Sequence, residues 1–367
     1  MRVADHGARL RAIQDRARAL GMGAVLVSPG PDLRYLVGYD AVPLERLTCL
    51  VVPADGDPVL VAPRLEVLAA QASPVGALGL EIRGWGELDD PYALVAELVG
   101  DVTTVAVDNH MWAEKVLALR AALPGADQVL AGAAVSHLRM RKDADEVAAL
   151  MAAGAAIDSV HAAVPGLLRP GRTEREVGAD ISDLILAAGH VSVDFVIVGS
   201  GPNGASPHHE VSDRVITDGD VVVVDIGGTM ADGYCSDSTR TYALGEPPTG
   251  FAARYEVLRQ AQEAAVAWAR PGVTCASVDA AARGVMVAGG LGDLFIHRTG
   301  HGIGLETHED PYIVAGNELV LEPGMAFSIE PGLYVEGCYG ARIEDIVIAT
   351  DDGVLVANDR PRELVVV

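Results

Sequence analysis

The sequence predicts a two-domain chain of mixed α/β and α+β class, on three observations. With 367 residues, 50% of them hydrophobic, the chain is long enough to build two domains with substantial cores. Its first third alternates short β-branched runs with helical patterns, which marks an α/β unit. Near residue 136 the pattern changes to long Ala-rich helices followed by apolar strands that carry carboxylates. The expected division is 1–135, a small α/β domain, and 136–367, a larger domain holding the chemistry.

In the first domain, Leu10, Ile13, Ala17 and Leu20 recur at helical spacing, so 7–20 is expected to be a helix stopped by Gly21 and Gly23. Residues 24–28 read as a strand, and PGPDLRYLVGY as a loop with a short helix. Two strands, 47–53 and 58–61, flank a DGD turn. The same criteria give a helix over 67–72, a strand over 81–85, a helix over 91–100 and a strand over 104–108. A helix over 113–123 and a strand over 128–131 complete the unit. No cluster of ligand residues is expected here, and the domain reads as a scaffold or wall.

In the second domain, 143–164 predicts a helix whose buried face is Val147, Leu150, Met151, Ala155 and Val160, broken by 165–172. Thr173 and Glu176 have the spacing of a capping box, opening a helix that runs to 188. A strand over 194–198 leads into a glycine-rich loop with Pro202, Pro207, His208 and His209. The stretch VVVVDIGGTMADGYCSDSTRT, 221–241, reads as a buried strand ended by Asp225. A turn containing Gly227, Gly228 and Gly233 and a second strand opened by Asp237 follow. Helices are expected over 250–270 and again after Pro271. The Arg-Pro-Gly at 169–171 is echoed at 270–272, each followed by a helix start. This points to an internal duplication with a site at the repeat interface.

Composition excludes several functions. The net charge of −24, from 51 acidic and 27 basic residues, disfavours nucleic acid and anionic membrane as partners. Aromatic content of 4% argues against base-stacking surfaces. No run of 18 or more uncharged apolar residues suggests a membrane span, and the charged N-terminus lacks the apolar core of a signal peptide. Cys49, Cys235, Cys275 and Cys338 are scattered without a CxxC pair, as expected of free thiols in a reducing cytoplasm.

The chemistry is concentrated downstream. His297, His301 and His308 fall within twelve residues, Glu330 ends an apolar strand, and Glu344 lies inside another. A carboxylate buried in such a strand is costly unless paired or metal-bound. With Asp225 and Asp237 these make four carboxylates, and one histidine completes the set. Two divalent cations balance that charge and activate a water for hydrolysis. Oxygen-rich ligation with one imidazole suits Mn²⁺, Co²⁺, Fe²⁺ or Zn²⁺ better than a thiolate site would. Plainer readings stand beside these. Asp in a glycine turn is ordinary, and His297 and His308 are ordinary as loop histidines. Glu322 and Glu336 read as solvated, and His161 and His190 as structural residues on helical patterns. Asp345 should face away from Glu344.

The pieces DIGG…GYCSDSTRT, HRTGHGIGLETHEDP, SIEPGLY and ARIED, in this order, resemble the metallopeptidases of pita-bread fold: prolidase, aminopeptidase P and, more distantly, methionine aminopeptidase. SPGPDLRYLVGY is similar to the creatinase-like N-terminal domain of prolidases, which methionine aminopeptidases generally lack. The resemblance implies a creatinase-like domain over 1–135 and a pita-bread domain with an internal pseudo-two-fold over 136–367. It implies five metal ligands: Asp225, Asp237, His301, Glu330 and Glu344. Asp237 and Glu344 would bridge two ions, Asp225 would hold one, and His301 and Glu330 the other. It further implies a substrate-side role for His208, supporting roles for His297, His308, Tyr334 and Arg342, and Glu330 as proton acceptor. Two departures stand out. Asp225 and Asp237 are twelve apart where many members show eleven, and Tyr312 follows Pro311 where some prolidases carry an arginine that binds the product's carboxylate. The second weighs against a strict dipeptidase.

The resulting expectation is a cytoplasmic, homodimeric Xaa-Pro peptidase with two divalent ions per chain, Mn²⁺ first among them. It would act on peptides with proline second, with no nucleic-acid or membrane partner. The alternatives are an aminopeptidase of broader specificity, a metal-free amidinohydrolase of creatinase type, and a non-catalytic binding protein of the same fold.

Overall fold

The structure is a computed structural model and describes residues 3–367. The chain divides into two compact units, one ending at Arg139 and the other beginning at Met140.

The first unit is built on β1 (Ala24–Val27), β2 (Cys49–Pro53), β3 (Val59–Pro63), β4 (Glu81–Trp85), β5 (Thr104–Val107) and β6 (Asp127–Leu130), in the order β4-β3-β2-β1-β5-β6. Its helices are α1 (Val3–Ala19), α2 (Pro31–Val37), α3 (Val67–Ala72), α4 (Pro74–Leu78), α5 (Pro91–Val99), α6 (Ala113–Ala122) and α7 (Gly132–Arg139). The strands lie where the alternation put them, because β1, β2 and β3 are apolar runs buried in the sheet. Leu26, Val51, Val61 and Val107 pack with Val95 and Val99 of α5 and Leu119 of α6. The helix α1 begins earlier than residue 7 and runs through Gly7. Tertiary bonds outweigh the glycine's poor propensity there, since the His6 imidazole and the Arg9 guanidinium both bond to the Tyr35 carbonyl at 3.2 Å.

The second unit contains two helix pairs, each packed on a sheet. The pair α8 (Ala144–Leu167) and α9 (Glu174–Ala187) covers the sheet β17-β9-β8-β7, made from β7 (His190–Ser200), β8 (Val221–Met230), β9 (Cys235–Ala243) and β17 (Val365–Val366). The pair α10 (Phe251–Trp268) and α11 (Cys275–Ala288) covers the sheet β11-β10-β12-β15-β16. Its strands are β10 (Gly300–Gly302), β11 (Glu309–Ile313), β12 (Ala326–Ile329), β15 (Asp345–Ala349) and β16 (Val354–Val356). A hairpin of β13 (Gly332–Val335) and β14 (Tyr339–Arg342) stands apart from both sheets. The repeated Arg-Pro-Gly has a repeated geometry. Gly171 N–H donates to Ile216 and Gly272 N–H to Leu321, both at 2.9 Å. Thr173 and Thr274, the capping residues of α9 and α11, bridge to Val215 and Val320. The internal pseudo-two-fold is therefore visible in the backbone.

Further expectations change, and Ala155, expected on the buried face of α8, is exposed. Pro165 does not break α8, which continues to Leu167. Proline removes the N–H that would bond the carbonyl four residues back, and the Tyr242 hydroxyl lies 3.3 Å from that carbonyl, of His161. Gly227 and Gly228 are not in a turn: β8 runs through them to Met230. A Cβ on Gly227 would collide with the Phe195 ring and the Ser236 carbonyl, so glycine serves close packing there rather than bending. His190 begins β7 rather than sitting on a helix, and its ring bonds Ser236 Oγ at 2.8 Å. By length and composition α8 would also pass as a membrane span. It is a core helix here: Leu150, Ile157, Val160 and Val164 are buried, and its Asp158 accepts from the Asn358 side chain and the Asp359 N–H.

Candidate metal centre

Register places the first two carboxylates. In the β8–β9 ladder Asp225 faces Thr239 and Gly227 faces Asp237. Residues opposite one another, and residues two apart, share a sheet face, so Asp225, Asp237 and Thr239 all point to one side. His301 comes from β10, and Glu330 directly follows β12. Glu344 was expected inside a strand but stands at the junction of β14 and β15. The pairing partner changes there, from β13 to β12, and the Glu344 N–H turns to the Thr239 carbonyl at 3.1 Å.

These side chains converge. Asp225, Asp237 and Glu344 each offer an oxygen within 4.8 Å of the others, and His301, Glu330 and Glu344 form a second such group. Glu344 belongs to both. Asp237 also reaches the second side, where His301 Nε2 lies 3.6 Å from it, 3.2 Å from Glu330 and 4.0 Å from Glu344. Burial, followed by the charges of neighbouring carboxylates, pushes Asp237 and Glu344 well above the ordinary carboxylate range. Burial also opposes charge on Glu330, but the His301 hydrogen bond and charge win and hold its carboxyl low. Asp225 Oδ2 accepts from Arg342 at 2.5 Å, while its Oδ1 is buried without a hydrogen-bond partner. Such an orphaned acceptor costs roughly 1–3 kcal/mol. The orphaned oxygen and the four crowded carboxylates, with the His301 and His308 rings beside them, fit divalent cations, which these side chains would hold.

A hydrogen-bonded shell holds these side chains. Thr239 Oγ1 donates to Glu344 at 2.7 Å and accepts from Arg342 Nε at 3.0 Å. Arg342 Nη1 donates to the Tyr334 hydroxyl at 2.7 Å, which lies 2.9 Å from His297 Nε2. Ser328 Oγ donates to Glu330 and accepts from the His301 N–H, both at 3.0 Å. Burial holds the His297 imidazole below its ordinary range and raises the Tyr334 hydroxyl to about 12. The His308 ring stands edge-on to His301 with centroids 4.0 Å apart. Partial enclosure, then the charges of His301 and Arg298, push it down to about 4. His208 is exposed, and its charge is felt by both His297 and His308.

Sequence reasoning missed Thr239 and Ser328. Thr239 stands two positions from Asp237 on the same face of β9, a period that was the available signal, and Ser328 stands two positions before Glu330, which lies just past β12. Asp345 does face away from the ligands, into Arg240 at 2.7 Å, Gln262 at 2.7 Å and Arg362 at 2.5 Å. Glu322 and Glu336 are exposed as expected, Glu322 pairing at the surface with Arg141 at 2.5 Å. The first unit does hold an acidic group, Asp32, Asp108 and His110. Its carboxylates are already engaged, Asp32 by Arg139 at 2.7 Å and Asp108 by the Ser28 N–H and hydroxyl.

Comparison with known proteins agrees with this geometry. Residues 148–351 match the model of metallopeptidase family M24, and residues 9–141 that of the creatinase/prolidase N-terminal domain. The chain is 56% identical over 348 residues to a probable dipeptidase PepE of Mycobacterium tuberculosis, covering 95% of this chain and 92% of that one. It is 37% identical over 363 residues to an Xaa-Pro dipeptidase of Lactobacillus delbrueckii subsp. lactis, covering 97% and 98%. The crystal structure of dipeptidase PepE from Mycobacterium ulcerans superposes with a TM-score of 0.97 at 54% identity, over 100% of this chain and 99% of that one. The chain belongs to metallopeptidase family M24, with a creatinase/prolidase N-terminal domain ahead of the catalytic one.

Proposed function

We propose that the protein is a dinuclear-metal Xaa-Pro dipeptidase, cleaving the bond between an N-terminal residue and proline. The observation that carries this reading is the pair of ligand groups joined through Glu344. The dipeptidase names of its relatives support a dipeptide substrate, against the expectation drawn from Tyr312. Two divalent cations, when bound, supply charge balance, Lewis acidity and a water of lowered pKa. Asp225, Asp237, His301, Glu330 and Glu344 would hold them, with Mn²⁺ the first choice and Co²⁺, Fe²⁺ or Zn²⁺ as alternatives.

The chain's own groups divide the remaining work. Glu330, which accepts from the Ser328 hydroxyl, takes the proton of the attacking water on a carboxylate oxygen. His208, at the exposed side of the site, donates to the carbonyl oxygen as negative charge develops on it. Arg342 fixes Asp225 and, through Thr239, Glu344, while His297 and Tyr334 close the hydrogen-bonded chain behind them. A tetrahedral intermediate collapses with proton transfer to the proline nitrogen, which the Glu330 carboxyl supplies.

The test is turnover of Ala-Pro, Ala-Pro-Ala and Ala-Ala by metal-reconstituted enzyme. Ala-Pro should be preferred. Preference for Ala-Pro-Ala would make it an aminopeptidase P, and efficient Ala-Ala cleavage an enzyme of broader specificity. A cytoplasmic homodimer completes the proposal, and sedimentation of the purified protein checks the dimer.

A further inference from the structure

Four residues around His208 aim donors at a single carboxylate. Glu174, fully buried in the first turn of α9, accepts at Oε1 from the Ser200 N–H (2.8 Å), the Ser200 hydroxyl (2.6 Å) and Asn203 Nδ2 (3.1 Å). At Oε2 it accepts from Asn203 Nδ2 (3.0 Å), His209 Nε2 (2.8 Å), the Ser212 N–H (3.3 Å) and the Ser212 hydroxyl (2.5 Å). No Lys or Arg among the described residues hydrogen-bonds to it. Its charge is met by these donors, by the helix N-terminus in which it lies and, at one remove, by Arg214, whose Nη1 donates to the Ser200 hydroxyl at 2.6 Å. Burial alone would keep it neutral, yet the bonds from Ser200 and Ser212 hold its carboxyl below the ordinary range.

The opposite side of the same loop is fixed to the hairpin of β13 and β14. Gly204 packs so closely on Gly340 that a side chain on Gly340 would collide with the Gly204 carbonyl. Arg342 Nη2 donates to the Pro207 carbonyl at 3.3 Å. His208 lies between the two anchorages. Its neighbour His209 turns inward to Glu174, and His208 is left exposed where its charge reaches His297 and His308.

We propose that Glu174 is a positioning residue for His208: it ties residues 200–212 into one unit and so fixes where the His208 imidazole meets the substrate. The inference rests on the substrate-side role given to His208 above. It is outside the ligand set, and neither the relatives' names nor the motifs of the sequence pointed to it.

The experiment is a double-mutant cycle of Glu174→Gln and His208→Ala in metal-loaded enzyme, reading kcat and KM for Ala-Pro with metal content. The amide of Glu174→Gln keeps the shape but turns an NH₂ toward donors. The expected result is a kcat reduced roughly ten- to a hundred-fold, because displacement of a reacting group by about 1 Å costs that much. Two ions per chain should remain and KM should change little. On the His208→Ala background Glu174→Gln should cost nothing further. Wild-type kcat in Glu174→Gln, or a loss that multiplies in full on His208→Ala, overturns the inference. Should Glu174→Gln fail to fold, Ser212→Ala and Asn203→Ala each remove donors to the same carboxylate, with smaller losses expected to vanish on His208→Ala; losses that persist there overturn it. Wild-type turnover in His208→Ala would instead remove the role of His208 itself, and the inference with it.

Discussion

Buried in a site nearly closed to water, Asp237 faces the charge of Glu344, and Glu344 those of Glu330 and Asp225, and both carboxyls are held above their ordinary range. Without metal, the native state therefore keeps protons that the unfolded chain has released. The stability tied to those protons is present below about pH 4, the ordinary carboxylate pKa, and is lost as pH rises toward the raised values. A divalent cation replaces the protons and removes the loss. The gap in Tm between metal-loaded and chelated enzyme should widen from about pH 5 to about pH 8. A gap independent of pH would contradict the assignment of these two carboxyls. Glu344→Gln keeps the side chain's shape but removes one negative charge shared by both ligand groups. One tightly bound ion per chain, little turnover and an intact fold are expected. Elemental analysis showing two tight ions and normal turnover would mean that Glu344 is not the shared ligand.

At the scale of elements, the strands that carry ligands were legible and their local geometry was not. The apolar run before Asp225 announced a strand, and Asp237 was correctly given to its neighbour. The glycines between them read as a turn because glycine most often supplies one. Only the fold shows Phe195 of β7 lying against Gly227. Gly227→Ala should therefore destabilise the metal-free protein by about 1–3 kcal/mol, the usual cost of overpacking. Urea unfolding that matches wild type would show that the ring moves aside without cost. Helix α8 was read correctly at its start, but no local signal reported that Tyr242 stands at the carbonyl left free by Pro165. The same hydroxyl lies 3.1 Å from His161 Nδ1, and the Ser238 carbonyl 3.0 Å from Nε2. Burial pushes the His161 imidazole down to about 3. The unfolded chain binds that proton near pH 6.5, so this contribution is present above roughly pH 6.5 and is lost as pH falls toward 3. His161→Gln, which cannot titrate, should lose less of its urea midpoint than wild type on going from about pH 7 to about pH 5. Equal losses would place the proton elsewhere.

At the scale of the whole molecule, the candidate site assembles from two halves built alike. One sheet contributes Asp225 and Asp237, and the other contributes His301 and, at their junctions, Glu330 and Glu344. The Pro-Gly echoed at 271–272 was the sign of that duplication in the sequence, and the matching bridges of Thr173 and Thr274 show it in the backbone. The acidic ligands stood out because a carboxylate set in an apolar strand is too costly to bury without a cation or a paired charge. The supporting residues were harder to read. Thr239 and Ser328 are ordinary strand hydroxyls until the register shows what they touch, and Glu174 looks like an ordinary first-turn acid until loop 200–212 folds over it. The unit ending at Arg139 was legible as an α/β scaffold, and the relatives match across it as well as across the catalytic unit. The most direct test of the account is stoichiometric titration of Mn²⁺ into chelated enzyme, following Ala-Pro hydrolysis and bound metal together. Activity should be absent without metal and reach its plateau at two ions per chain, whereas full turnover in metal-free enzyme, or a plateau with one ion bound, would contradict it.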